Sequence, residues 1–132
     1  MGRILALDYG EKRIGVAISD SLGITGQPVT VISSLDELTP IINEYENVEL
    51  IVVGLPKSLS GEIKLAGQNV LSFVEEVKAK FNLPVKTWDE RLTTAQVTKT
   101  MIAAGLSRAK RKQVVDKSAA ALILQGYLDA KK

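Results

Sequence analysis

Cysteine and histidine are both absent from the 132 residues. Their absence excludes disulfide frameworks, zinc fingers, HExxH metalloproteases, Ser-His-Asp triads and Cys-His nucleophile pairs. Any catalysis must therefore run on carboxylates, lysine or hydroxyls. Aromatic residues are scarce, at 5% of the chain, which leaves little material for the stacking platforms that RRM and OB modules use on single strands. Long apolar runs are lacking too: none approaches the roughly 20 residues that span a bilayer. The opening MGRILALDYG is too short and too soon acidic for a signal peptide. These absences lead us to expect a soluble protein of the reducing cytoplasm with no membrane partner. What is present, 45% hydrophobic and 24% charged residues, suits one globular domain over residues 1–132, burying roughly two-thirds of its unfolded surface.

Net charge is only +2, but it is unevenly spread. Up to and including Glu90 there are 8 Lys/Arg against 13 Asp/Glu, and after it 9 against 2. Most of the excess lies in RAKRK, with Arg108, Lys110, Arg111 and Lys112, flanked by Arg91, Lys99 and Lys117. A polyanion held on that side would be held through its phosphates. The alternative for RAKRK is a solvated loop.

Three strand-like runs open the chain, RILALD (3–8), RIGVAIS (13–19) and PVTVIS (28–33), and predict an antiparallel meander. Ser34 with Glu37, or Thr39-Pro40, starts a short helix ending near Tyr45. ELIVVG (49–54) reads as a strand buried on both faces. Ala66, Val70, Phe73, Val74, Val77 and Phe81 recur at helical spacing, and Leu83-Pro84 ends that helix. VKTW (85–88) is a further short strand. Thr93 with Gln96 opens a helix stopping at Gly105, and residues 116–130 form a last one with Ala119, Ile123 and Tyr127 on one stripe. The strand-helix-strand passages imply parallel pairing of the first, fourth and fifth strands. The expected architecture is α/β, a mixed five-stranded sheet with its first three strands antiparallel, flanked by helices, and VKTW beside the first strand.

Asp8 ends an apolar strand that should lie centrally, where an unpaired carboxylate is costly. It either initiates the hairpin as an Asx-type turn, with Gly10 at positive φ, or marks a ligand site at a carboxyl strand end. Asp89 and Glu90 stand at the corresponding place after VKTW, unless they simply favour a helix N-terminus. Asp116 is a third acid, unless it caps the last helix or pairs with Lys112. Converging carboxylates raise one another's pKa unless a divalent cation holds them ionised. In a chain without histidine, Mg²⁺ or Mn²⁺ suits such oxygen ligands, and phosphodiester hydrolysis suits such ions.

Four ordered motifs, LDYGEKRIGVAISD (7–20), VVGLP (52–56), DERLTT (89–94) and VVDKSAAALILQGYL (114–128), closely resemble those of the YqgF/RuvX family. Its members are described as pre-16S rRNA nucleases and were once called Holliday-junction resolvase-like proteins. The resemblance runs nearly end to end. It implies a ribonuclease H-like fold, with Asp8, Glu90 and Asp116 as catalytic residues that coordinate Mg²⁺ or Mn²⁺. It further implies Lys12, Arg13 and Arg91 beside the site as contacts to the substrate backbone. Structured RNA, a ribosomal precursor particle or branched DNA is the partner so implied, and the protein would act as a monomer or homodimer. One loop departs from the pattern: the family's Asn-x-Asp-Gly is replaced by Ser58, Leu59, Ser60 and Gly61. Gly54 and Gly61 are expected to permit turns, and Trp88 to serve packing.

Overall fold

The computed structural model describes residues 2–58, 60–92 and 118–131, with Ala103, Gly105 and Ser107. Five strands form one sheet: β1 (Arg3–Tyr9), β2 (Ile14–Ser19), β3 (Gly26–Ile32), β4 (Val48–Leu55) and β5 (Val85–Asp89). Their spatial order is β3-β2-β1-β4-β5. The first three run antiparallel, while β4 pairs parallel with β1 and β5 parallel with β4. The mixed sheet and the meander agree with the sequence. The neighbour assigned to β5 needs correcting: it pairs with β4, which separates it from β1. β4 is apolar almost throughout, with six consecutive buried residues, as befits a strand flanked on both edges and covered on both faces.

Strand alternation divides the sheet into two faces. Leu5, Leu7, Val16, Ile51 and Val53 point to one side, where α1 (Leu38–Glu44) and α2 (Leu65–Lys80) bring Leu38, Val70, Phe73, Val74 and Val77. Ile4, Ala6, Ala17, Leu50 and Val52 point to the other, against Ala120, Ile123, Leu124, Tyr127 and Leu128 of α3 (Ala119–Ala130). A 3₁₀ turn at Leu35–Glu37 precedes α1, with Glu37 Oε2 accepting from the Ser34 amide at 3.0 Å, as the Ser34/Glu37 pairing predicts.

Several boundaries move. In α2, Ala66 is exposed and Gly67 is buried in its place; a Cβ on Gly67 would lie 2.6 Å from Ile63 Cγ2 and 2.9 Å from the Pro56 carbonyl. The helix stops at Lys80, before Leu83-Pro84. The last helix starts at Ala119, with Ser118 as its N-cap, its Oγ accepting from the Ala121 amide at 3.1 Å. Asp116 is therefore not that cap, and the buried stripe begins at Ala120 because Ala119 is exposed. Helical backbone also begins at residue 90, ahead of the start predicted at Thr93; Thr93 and Gln96 themselves lie outside the described residues. Gly105, at φ +79°, has the left-handed backbone of a helix end.

Candidate active site

Ile4, Ala6 and Asp8 share one face of β1 by alternation, so the carboxylate emerges on the α3 side at the strand's carboxyl end. The hairpin beyond it is closed by the main chain, the Gly10 amide donating to the Arg13 carbonyl at 2.8 Å. Gly10 lies outside the left-handed region; its need for glycine is space, since a Cβ would sit 2.8 Å from the Arg13 carbonyl oxygen. Turn formation thus accounts for Gly10 through close approach and leaves Asp8 without a turn role. Burial pushes the Asp8 carboxyl above its ordinary pKa.

β4 contributes Gly54 on the same face, one step past the Val53 that pairs with Leu7. This glycine sits at no turn, contrary to expectation. A Cβ there would lie 2.5 Å from Ile123 Cδ1 and 3.2 Å from the Glu90 carboxyl carbon. The missing side chain is what lets Glu90 lie across β4 toward β1. Glu90 is partly buried, and its pKa is raised by burial first, then by the charge of Asp8, then by that of Asp89. Glu90 thus feels the charge of Asp8 from the far side of β4, whereas the sequence predicts their two strands side by side.

Asp89 departs on the opposite side. Arg91 Nε reaches both its oxygens at 3.1 Å and Nη2 reaches Oδ2 at 2.6 Å, holding this carboxyl below the usual carboxylate range. Nη1 of the same guanidinium donates to the Ser58 carbonyl at 3.3 Å. The loop after β4 is closed by Ser58, whose Oγ accepts from the Glu62 amide at 3.1 Å, and by Gly61 at φ +88°. Gly61 is the turn glycine the sequence predicts.

Arg13 lines a cleft of about 500 Å³ together with Asp8, Gly15, Thr30, Val31 and Ser118. Thr30, Val31 and Ser118 carry no sequence signal for this role, because they join the cleft of Asp8 only through sheet order and the placement of α3. Lys12 is exposed in the same turn. Trp88 packs edge-on against Tyr127, ring centroids 5.9 Å apart, a packing residue as expected. Asp116, Arg108, Lys110, Arg111 and Lys112 lie outside the described residues, among which no group of three or more acids is clustered.

Two partly buried carboxylates with oxygen donors only, each raised by burial and one also by the other, make a set that a hard divalent cation fits.

The family model described as RuvX, Holliday junction resolvase, matches residues 2–130. A Desulforamulus reducens protein named "Putative pre-16S rRNA nuclease" is 52% identical, with 97% of each chain covered. A namesake from Thermoanaerobacter pseudethanolicus is 50% identical over 98% of each. Among solved structures, the one titled "T. thermophilus RuvC in complex with Holliday junction substrate" superimposes with a TM-score of 0.58 at 14% identity, covering 99% of this chain and 96% of that one. That likeness carries the fold, which is ribonuclease H-like as expected. Matched almost from end to end by its model and sharing about half its residues with full-length relatives, the chain belongs to the RuvX family.

Proposed function

We propose that residues 1–132 form a nuclease domain that hydrolyses phosphodiester bonds of structured RNA, with 5′-end maturation of pre-16S rRNA as its task. The observation that carries this reading is that the Glu90 carboxyl lies over the bare backbone of Gly54, where burial and the charge of Asp8 both raise its pKa. Asp8 and Glu90, joined by Asp116, would hold Mg²⁺ or Mn²⁺. When bound, such an ion activates water and stabilises phosphoryl oxygens. The chain's own part would be to set two oxygen donors at the carboxyl ends of β1 and β5, keep them partly out of water, and offer Arg13, in the same cleft as Asp8, to a substrate phosphate. Lys12 and the Arg108, Lys110, Arg111, Lys112 group would add charge along the backbone of the substrate. The names of the relatives support the ribosomal RNA precursor as substrate, and the cytoplasm is the compartment this task requires.

A four-way DNA junction is the second substrate, favoured by the description of the family model. A resolvase needs two cuts, hence a symmetric dimer, whereas RNA maturation needs only a monomer. The test incubates wild type and Asp8→Asn with a labelled rRNA-precursor leader and a synthetic junction, in Mg²⁺, Mn²⁺ or EDTA. Cleavage of the leader by wild type, lost by more than about 100-fold in the variant and in EDTA, is expected. Cleavage that survives either change contradicts the mechanism; binding without cleavage assigns the chain to a non-catalytic role in ribosome assembly or transcription.

A further inference from the structure

Asp89 and Glu90 are adjacent in sequence but serve different ends. The Arg91 amide donates to Asp89 Oδ1 at 3.0 Å, which closes a turn with Glu90 as its middle residue and caps the helical backbone starting there. The side chain of Arg91 folds back on the same carboxylate through Nε and Nη2. Its remaining arm reaches the main chain of Ser58, 33 residues away. The Ser58–Glu62 turn it grips is internally bonded, with the Gly61 amide on the Ser58 carbonyl at 2.8 Å and the Ser58 amide on the Glu62 carbonyl at 3.0 Å.

We propose that Arg91 is a positioning residue: its fork on Asp89 and its bond to Ser58 lock the turn that aims Glu90 at Asp8, and they fasten the loop after β4 to it. This is a different task from the substrate-backbone contact that the family resemblance implies for Arg91. A planar guanidinium suits the task because it spends parallel N–H groups on one carboxylate and keeps another for a carbonyl. A lysine would supply the charge without the fork. The contact to the loop is to a carbonyl oxygen, so it is indifferent to which side chain stands at position 58. The proposal rests on the nuclease reading, since it names what holds Glu90 in place.

Arg91→Lys, Arg91→Ala and Asp89→Ala are compared with wild type on the rRNA-precursor leader over a range of salt. Mn²⁺ binding without nucleic acid is followed by calorimetry, and amide hydrogen exchange over residues 58–62 and 90–91 is followed in parallel. Positioning predicts that all three variants, the lysine included, lose about tenfold or more in kcat, with KM and salt slope within twofold of wild type. It also predicts that Mn²⁺ binds roughly tenfold more weakly and that the loop and turn amides exchange faster. Wild-type kcat in Arg91→Lys, with Arg91→Ala raising KM and lowering the salt slope by about one, overturns it in favour of a phosphate contact. Should wild type neither bind Mn²⁺ nor cleave, the nuclease reading fails by itself. The exchange data then decide: faster exchange in Arg91→Ala upholds the lock, unchanged protection overturns it.

Discussion

At the scale of single residues, Gly54 and the two acids beside it form a trade between function and stability. A methyl at position 54 must displace Ile123, which is buried in the α3 core, and would also crowd the Glu90 carboxyl. Gly54→Ala is expected to cost about 1–2 kcal/mol and to cut cleavage as well. Gly15→Ala, in the lining of the Asp8 cleft, is a control for stability alone: its Cβ would make ordinary contacts of 3.4 Å to Ala120 and 3.6 Å to Asp8. Thermal unfolding of both variants and leader cleavage of Gly54→Ala check this. Asp8 and Glu90 hold their protons more tightly when folded, both chiefly through burial. Their favourable share of stability is thus present below the ordinary carboxylate range and is lost as pH rises through the elevated values. Asp8→Asn, free of that loss, should melt roughly 3 °C above metal-free wild type at neutral pH, with the gap closing on acidification. Mn²⁺ at 100 times its Kd should add about 2.7 kcal/mol to wild type and little to the variant. Melting curves with and without Mn²⁺ between pH 4 and pH 8 test both signs.

At the scale of elements, α3 is the part that seats the cleft, and it lies close where small residues interrupt the apolar sheet face below it. Ala6, Ala17, Gly26 and Gly54 all meet it, a Cβ on Gly26 lying only 3.0 Å from Leu124 Cγ. Gln125 ties it to the β2–β3 connection, accepting from the Gly26 amide and donating to the Ile24 carbonyl, each at 3.0 Å. Ser118 starts the helix, and Ser118→Ala should cost about 1 kcal/mol in denaturant unfolding. An unchanged midpoint would mean the cap carries nothing. The strands were legible from alternation and apolar runs, since those patterns record burial directly. The glycine roles were not: Gly10, Gly54 and Gly67 are needed for close approach to groups distant in sequence or folded back on them, and no local pattern encodes that. The same reason hid Ser118 as the cap, because Asp116 offered an equally good capping side chain two residues earlier.

At the scale of the whole molecule, charge asymmetry and sheet order act together. β4 separates β1 from β5, a placement that strand-helix-strand logic left open, because right-handed crossovers permit either insertion order. Glu90 still feels the charge of Asp8, and its carboxyl lies over the one residue of β4 there that has no side chain. The basic excess after Glu90 belongs largely to Arg108, Lys110, Arg111 and Lys112. Replacing these four with neutral residues should weaken RNA binding and flatten the dependence of log K on log salt by up to about 3, with kcat retained. A salt slope equal to that of wild type would reduce the group to solvated surface.

In the proposed nuclease, Asp8, Glu90 and Asp116 share one divalent cation. Anomalous diffraction at the manganese edge from Mn²⁺-soaked crystals tests it most directly. A shared site puts a peak within direct coordination distance of a carboxylate oxygen of each of the three residues, lost in Asp8→Asn. A peak elsewhere, none at all, or Asp116 turned away from the other two would contradict it.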